Sequence, residues 1–200
     1  MKKPLIAGLL LLVAVGAGLS FKYLNGESLQ GSFPPSSSLS MSLRSSPVSS
    51  SAVAGTDDHE FTGLTLDCTI STGCTITDLT LQGFLDDEGD NNDWDTSYDS
   101  ADHSSHLSDA VASVWLVDDS GAVVSDVESV SSSSYQVLFG GLNLTMANGD
   151  SMDLIVVGDI SSNVYWGGDA EGIAFGVNAS TDLVAEDGDG NSVVPSGTVN

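Results

Sequence analysis

The residues best suited to chemistry lie in one run: Asp86-Asp87-Glu88-Gly89-Asp90-Asn91-Asn92-Asp93-Trp94-Asp95-Thr96-Ser97-Tyr98-Asp99-Ser100-Ala101-Asp102. Hard divalent cations take about six to eight oxygen ligands, which alternating acidic side chains and backbone carbonyls supply. With Asn91 as position 1, Asp93, Asp95, Ser97, Asp99 and Asp102 fall at positions 3, 5, 7, 9 and 12, close to the ligand spacing of an EF-hand loop. Thr96 stands where that loop has its glycine, Asp102 is shorter than the bidentate glutamate, and no helical pattern flanks the run. The segment is expected to be either a calcium loop of non-EF type or a solvated acidic insertion. Asp187-Gly188-Asp189-Gly190-Asn191 has D-x-D-x-N spacing, but Pro195 and Thr198 occupy the ninth and twelfth places. A Gly-rich hairpin turn accounts for it as well. His103 and His106 form H-x-x-H beside Asp99, Asp102 and Asp109, a ligand set for a transition ion. Two exposed loop histidines are the plainer reading.

Cys68 and Cys74 are the only cysteines, separated by Thr69-Ile70-Ser71-Thr72-Gly73. In an exported chain such a pair is expected to form a disulfide that staples one turn. A ring this short contributes about 2–3 kcal/mol on the loop-entropy model. A redox C-x-x-C needs a different spacing, and zinc needs more soft ligands. No serine sits in a strand-turn-helix G-x-S-x-G context, and no Lys follows Lys22 to serve as base or phosphate ligand. No catalytic residue is assigned, and the chain is read as a non-enzyme. Trp94, Tyr98, Trp115, Tyr165 and Trp166 are the aromatics that can stack on sugar rings. Asn143-Leu144-Thr145 and Asn178-Ala179-Ser180 match the N-glycosylation sequon.

These residues belong to a chain divided by charge. Its 200 residues carry 28 acids against 4 bases, a formal net charge of −24, yet 40% are hydrophobic. The bases are Lys2, Lys3, Lys22 and Arg44, and every acid except Glu27 follows them. The apolar content excludes a disordered acidic tail, and the sign of the charge excludes a nucleic-acid binder. A domain so acidic repels itself. Molar salt, with a Debye length of about 3 Å, screens that repulsion, and divalent cations between carboxylates neutralise it directly. The preference for Asp over Glu resembles the surfaces of salt-adapted proteins, so a saline habitat with incidental calcium binding is expected.

Three segments follow from this partition. Residues 1–21 read as a signal peptide or an N-terminal membrane anchor: Lys2 and Lys3, an uncharged stretch from Leu5 to Phe21, and Val15 and Ala17 at −3 and −1 of a cleavage site. Residues 5–21 are then the sole contact with a membrane, and the rest is exported to the cell envelope or beyond it. Residues 22–56 alternate serine runs with Pro34-Pro35 and Pro47, which predicts a disordered, flexible linker. The alternative there is an ordered extension that packs Phe33 and Leu39 on the domain.

Residues 57–200 read as one all-β domain with an acidic insertion at 85–108. Short β-branched runs recur with turn signals between them: 61–66, 74–81, 110–117, 122–130, 135–139, 142–146, 152–160, 172–178, and two runs flanking Asp187–Asn191. No ten-residue stretch after the leader has a helical period. Val114 and Leu116 share one face of their strand, and Trp115 takes the other.

Val114-Trp115-Leu116-Val117-Asp118-Asp119-Ser120-Gly121, then Phe139-Gly140-Gly141-Leu142-Asn143-Leu144-Thr145-Met146-Ala147-Asn148-Gly149-Asp150 and Asp159-Ile160-Ser161, carry a resemblance. They are similar to the immunoglobulin-like modules repeated in exported surface proteins of uncultivated small-genome bacteria. The similarity covers about residues 60–198 and departs from the pattern at the acidic insertion and the cysteine pair. It implies an immunoglobulin-like two-sheet sandwich, further copies of the module beyond Asn200, and no catalytic residues. The expected function is a structural or adhesive module at the cell surface, with other envelope proteins or surface glycans as partners. The competing expectation is a carbohydrate-binding module of a larger secreted protein.

Overall fold

A computed structural model describes residues 13–15, 18–20, 38–86, 94–97, 106–163 and 172–197. The chain divides into two compact units, residues 1–37 and 38–200. In the first, β1 (Val13–Val15) and β2 (Gly18–Ser20) pair antiparallel. The rest of the expected leader, and residues 22–37 of the expected linker, lie outside the described residues. No helix among the described residues is long and apolar enough to cross a membrane.

The second unit is all-β. Its strands are β3 (Leu39–Leu43), β4 (His59–Cys68), β5 (Cys74–Asp86), β6 (Val111–Asp118), β7 (Gln136–Met146), β8 (Ser151–Ile160), β9 (Gly172–Gly176), β10 (Leu183–Asp187) and β11 (Ser192–Val193). One sheet has the order β3-β4-β8-β6. The other has the order β11-β10-β5-β7, with β9 pairing the far end of β5, and all strand pairs in both sheets are antiparallel. Helix among the described residues amounts to the turn Leu107–Ala110 and a 3-10 turn, Ser180–Asp182.

Period-two alternation explains how the sheets meet. Leu64, Leu66, Val114, Leu116, Leu154 and Val156 of the first sheet join Ile76, Leu79, Leu81, Val137, Phe139 and Leu183 of the second in one buried cluster. Burying each such side chain contributes about 1.5–3 kcal/mol relative to leaving it in water. Trp115, between Val114 and Leu116, is half-buried on the opposite face, as its parity requires.

The strands depart from the sequence reading at three places. The second unit begins at Ser38, inside the expected linker, and Leu39 follows the alternative of an ordered extension: Leu39 and Met41 are buried and β3 pairs with β4 from Leu39–Cys68 to Leu43–Leu64, while Phe33 lies outside the described residues. Leu-Ser-Met-Ser-Leu alternates correctly for a strand, but serines on both sides conceal it. Residues 122–130 do not form a continuous strand. They touch β6 through two isolated bridges, Val117–Val123 and Val114–Glu128. Between these the Leu116 N–H donates to the Ser125 hydroxyl at 2.8 Å, so a side chain takes the place of a ladder carbonyl. Finally, 135–139 and 142–146 belong to the single strand β7. Gly140-Gly141 does not reverse the chain; it opens a bulge in which residues 141–143 face Thr77 alone, with Gly141 at φ +67 and Asn143 at φ +52.

Candidate functional site

The two ends of the acidic insertion are fastened to β5 by neutral groups. The Gly83 N–H donates to the Tyr135 carbonyl at 2.8 Å. Two residues on, along the same edge, Leu85 exchanges both backbone hydrogen bonds with Asp95, at 3.1 and 2.8 Å. Asp95 thus continues the edge of β5 where β7 stops. Nε2 of the buried Gln82 lies 2.9, 2.9 and 3.0 Å from the carbonyl oxygens of Gly83, Thr96 and Ser134, tying the insertion to the β6–β7 connection. Leu107, fully buried, returns the chain against Gly83, where a Cβ would collide with its Cδ2.

Trp94 precedes Asp95 and its indole crosses β5. Gly172 pairs with Asp86 on the other edge of that strand, and a Cβ at Gly172 would sit 2.6 Å from Trp94 Cη2. The indole remains 40% exposed. Of the five aromatics expected to stack on sugars, Trp94 and Trp115 are described: Trp94 lies beside Gly172 of β9, and Trp115 belongs to β6 of the other sheet. Tyr98, Tyr165 and Trp166 lie outside the described residues.

Of the six expected calcium ligands, Asp95 and Ser97 are described, and Asn91, Asp93, Asp99 and Asp102 are not. Among the described residues no group of three or more His, Cys, Asp or Glu is placed to hold a metal ion. His103 also lies outside. The His106 Nδ1 is 3.1 Å from the Ser132 carbonyl oxygen, which can only accept, so Nδ1 carries the proton in that contact.

The Asp187–Asn191 segment is the hairpin turn between β10 and β11. Asp187 Oδ1 accepts from the Asp189 and Asn191 amides, each at 2.9 Å, and the Asn191 side-chain amide reaches both carboxylate oxygens, at 3.1 and 3.0 Å. Asn191's side chain, then its amide, hold the Asp187 carboxyl below the usual carboxylate range. Asp118 does the same at the end of β6, accepting from the Ser120 hydroxyl, the Ala122 amide and the Ser120 amide, which lower it likewise. Both carboxylates act as acceptors that close turns.

Cys68 and Cys74 form the disulfide, both buried, with Cα atoms 6.1 Å apart. Cys68 ends β4 in one sheet and Cys74 begins β5 in the other, so the bond joins the two sheets as well as closing a turn. Of the two sequons, Asn143 stands exposed on the β7 bulge and Asn178 is exposed beyond β9.

No family model, curated protein or solved structure matches this chain.

Sequence reasoning passed over Arg44, the one base of the second unit. Its Nε lies 3.1 Å from Asp153 Oδ2, and Asp153 Oδ1 accepts from the Thr65 hydroxyl at 2.7 Å. The arrangement depends on Gly63, over which the Arg44 stem and the Ser46 carbonyl pass. The solitary arginine after Lys22 was the available signal. Its acid partner, 109 residues away, was not legible.

Proposed function

We propose that the chain is an exported module of immunoglobulin-like architecture with a structural or adhesive role at the cell surface. The observation that carries this reading is the disulfide between Cys68 and Cys74, placed where it couples the two sheets. Such bonds persist in oxidising compartments outside the cytosol. The basic, apolar start of the sequence supports the same address. The edges of the sheets fit a domain that stands in water beside its neighbours: Ser196 covers β3, residues 122–128 cover β6, and a bulge breaks β7.

The test is protease shaving of intact cells that produce the full chain. Surface placement predicts release of peptides from residues 38–197 before lysis. Recovery of those peptides only after lysis overturns the reading.

The acidic surface is read as an adaptation to saline surroundings. The melting temperature is expected to rise continuously with NaCl into the molar range, as screening shortens. A rise that saturates at millimolar CaCl₂ would instead assign the carboxylates of the insertion to bound calcium.

A further inference from the structure

The seam where the described domain closes carries the inference. After β11 the chain leaves the five-stranded sheet, Pro195 is buried, and Ser196 pairs with β3 of the other sheet. The Ser40–Ser196 bridge is parallel. The Met41 N–H donates to the Ser196 carbonyl at 2.9 Å, and the Ser196 N–H donates to the Leu39 carbonyl at 3.0 Å. The Ser196 hydroxyl adds a longer contact to that carbonyl, at 3.4 Å. Gly197 follows at φ +96, and a Cβ there would collide with the Met41 carbonyl, so glycine permits the close approach. On its far side β3 is zipped to β4, and Ser38 is held by Thr69 through backbone and hydroxyl contacts of 2.8 to 3.0 Å.

Parallel pairing decides how this seam meets tension. A pull applied before Ser38 and after Gly197 drives β3 and the Ser196 segment past each other along their length. The bonds then lie across the force and share it. An antiparallel terminal pair would be peeled open one bond at a time. We infer that β3 and Ser196 form a force-bearing clamp that closes the domain against load through its two ends. The clamp follows from the hydrogen bonds alone; its use under load rests on the cell-surface reading.

Single-molecule force measurement on the full chain, held by its two ends, tests it. The wild type is expected to rupture in one step that releases the whole of the second unit. Ser196→Pro removes the N–H that bonds Leu39 and is expected to lower the rupture force, speeding unfolding at fixed load about fivefold. Ser196→Ala keeps both backbone bonds and is expected to rupture as the wild type does. Should Ser196→Pro fail to fold, Gly197→Ala, which forces the segment off Met41, is expected to weaken the clamp in its place. Wild-type force in the variant that folds, or a terminal segment that peels away before the main rupture, overturns the clamp. A clamp that holds in a chain that shaving places inside the cell leaves the mechanics standing and removes only the surface reading.

Discussion

Two of the joins between the sheets differ in kind. At the β4–β5 connection Cys68 and Cys74 make a covalent bond between buried residues. At the opposite pole of the sequence, β11 pairs in one sheet and Ser196 in the other, with backbone hydrogen bonds and the packing of Leu39 and Met41 doing the holding. The covalent join acts mainly on the unfolded chain, by limiting its freedom. The second acts on the folded chain and depends on side-chain fit. The first should therefore answer to reductant and the second to substitutions that alter shape.

The largest effect is expected at the packed join. Leu39→Ala truncates a fully buried side chain of β3, and a denaturant titration should show a loss of about 2–5 kcal/mol. A loss well under this range would mean that β3 is a loose edge and not part of the seam. Removing both cysteines as Cys68→Ala with Cys74→Ala should cost about 2–3 kcal/mol. Reductant should then leave the variant unchanged while it destabilises the wild type. Gly197→Ala places a Cβ against the Met41 carbonyl at a positive φ, and a thermal melt should show a loss of about 1–3 kcal/mol.

The smallest effect lies away from both joins, in the Asp187 turn. Hydrogen bonds from Asn191 lower the Asp187 carboxyl below its unfolded value. Its contribution is therefore present above the unfolded value and is lost as pH falls through the folded one. Asp187→Asn should lower the melting temperature slightly at neutral pH, and the difference from the wild type should shrink below about pH 4, where the wild type loses the same charge. An equal shift at both pH values would show that charge on the turn contributes nothing.

Alternation made much of this fold legible. Val114, Leu116, Leu154 and Val156 point inward where period two places them, and Cys68 and Cys74 pair as their isolation implied. What escaped was decided by distant partners. β3 is a strand because β4 lies beside it: an ordered extension that packs Leu39 was legible as the alternative to a linker, but the Leu39–Leu43 run is too short and too serine-rich to decide between them. Residues 122–130 looked like a strand because valines recur there, yet the Ser125 hydroxyl replaces a ladder acceptor and breaks the run. The glycines at 140 and 141 read as a reversal because positive φ is common to turns and bulges, and only pairing with β5 separates the two. In the insertion, composition drew attention to the carboxylates. The groups that anchor it are Gln82, the Asp95 backbone and Leu107, whose roles depend on β5 and on Tyr135 and Ser134.

Counting thiols tests most directly whether the Cys68–Cys74 bond forms and whether, as proposed, the chain is exported. Full-length protein recovered without reductant from cells with an oxidising envelope would be alkylated under denaturing conditions and weighed. No alkylated cysteine is expected before reduction and two after it. Two alkylated cysteines in folded, unreduced protein recovered from the cytosolic fraction would contradict both the bond and the export.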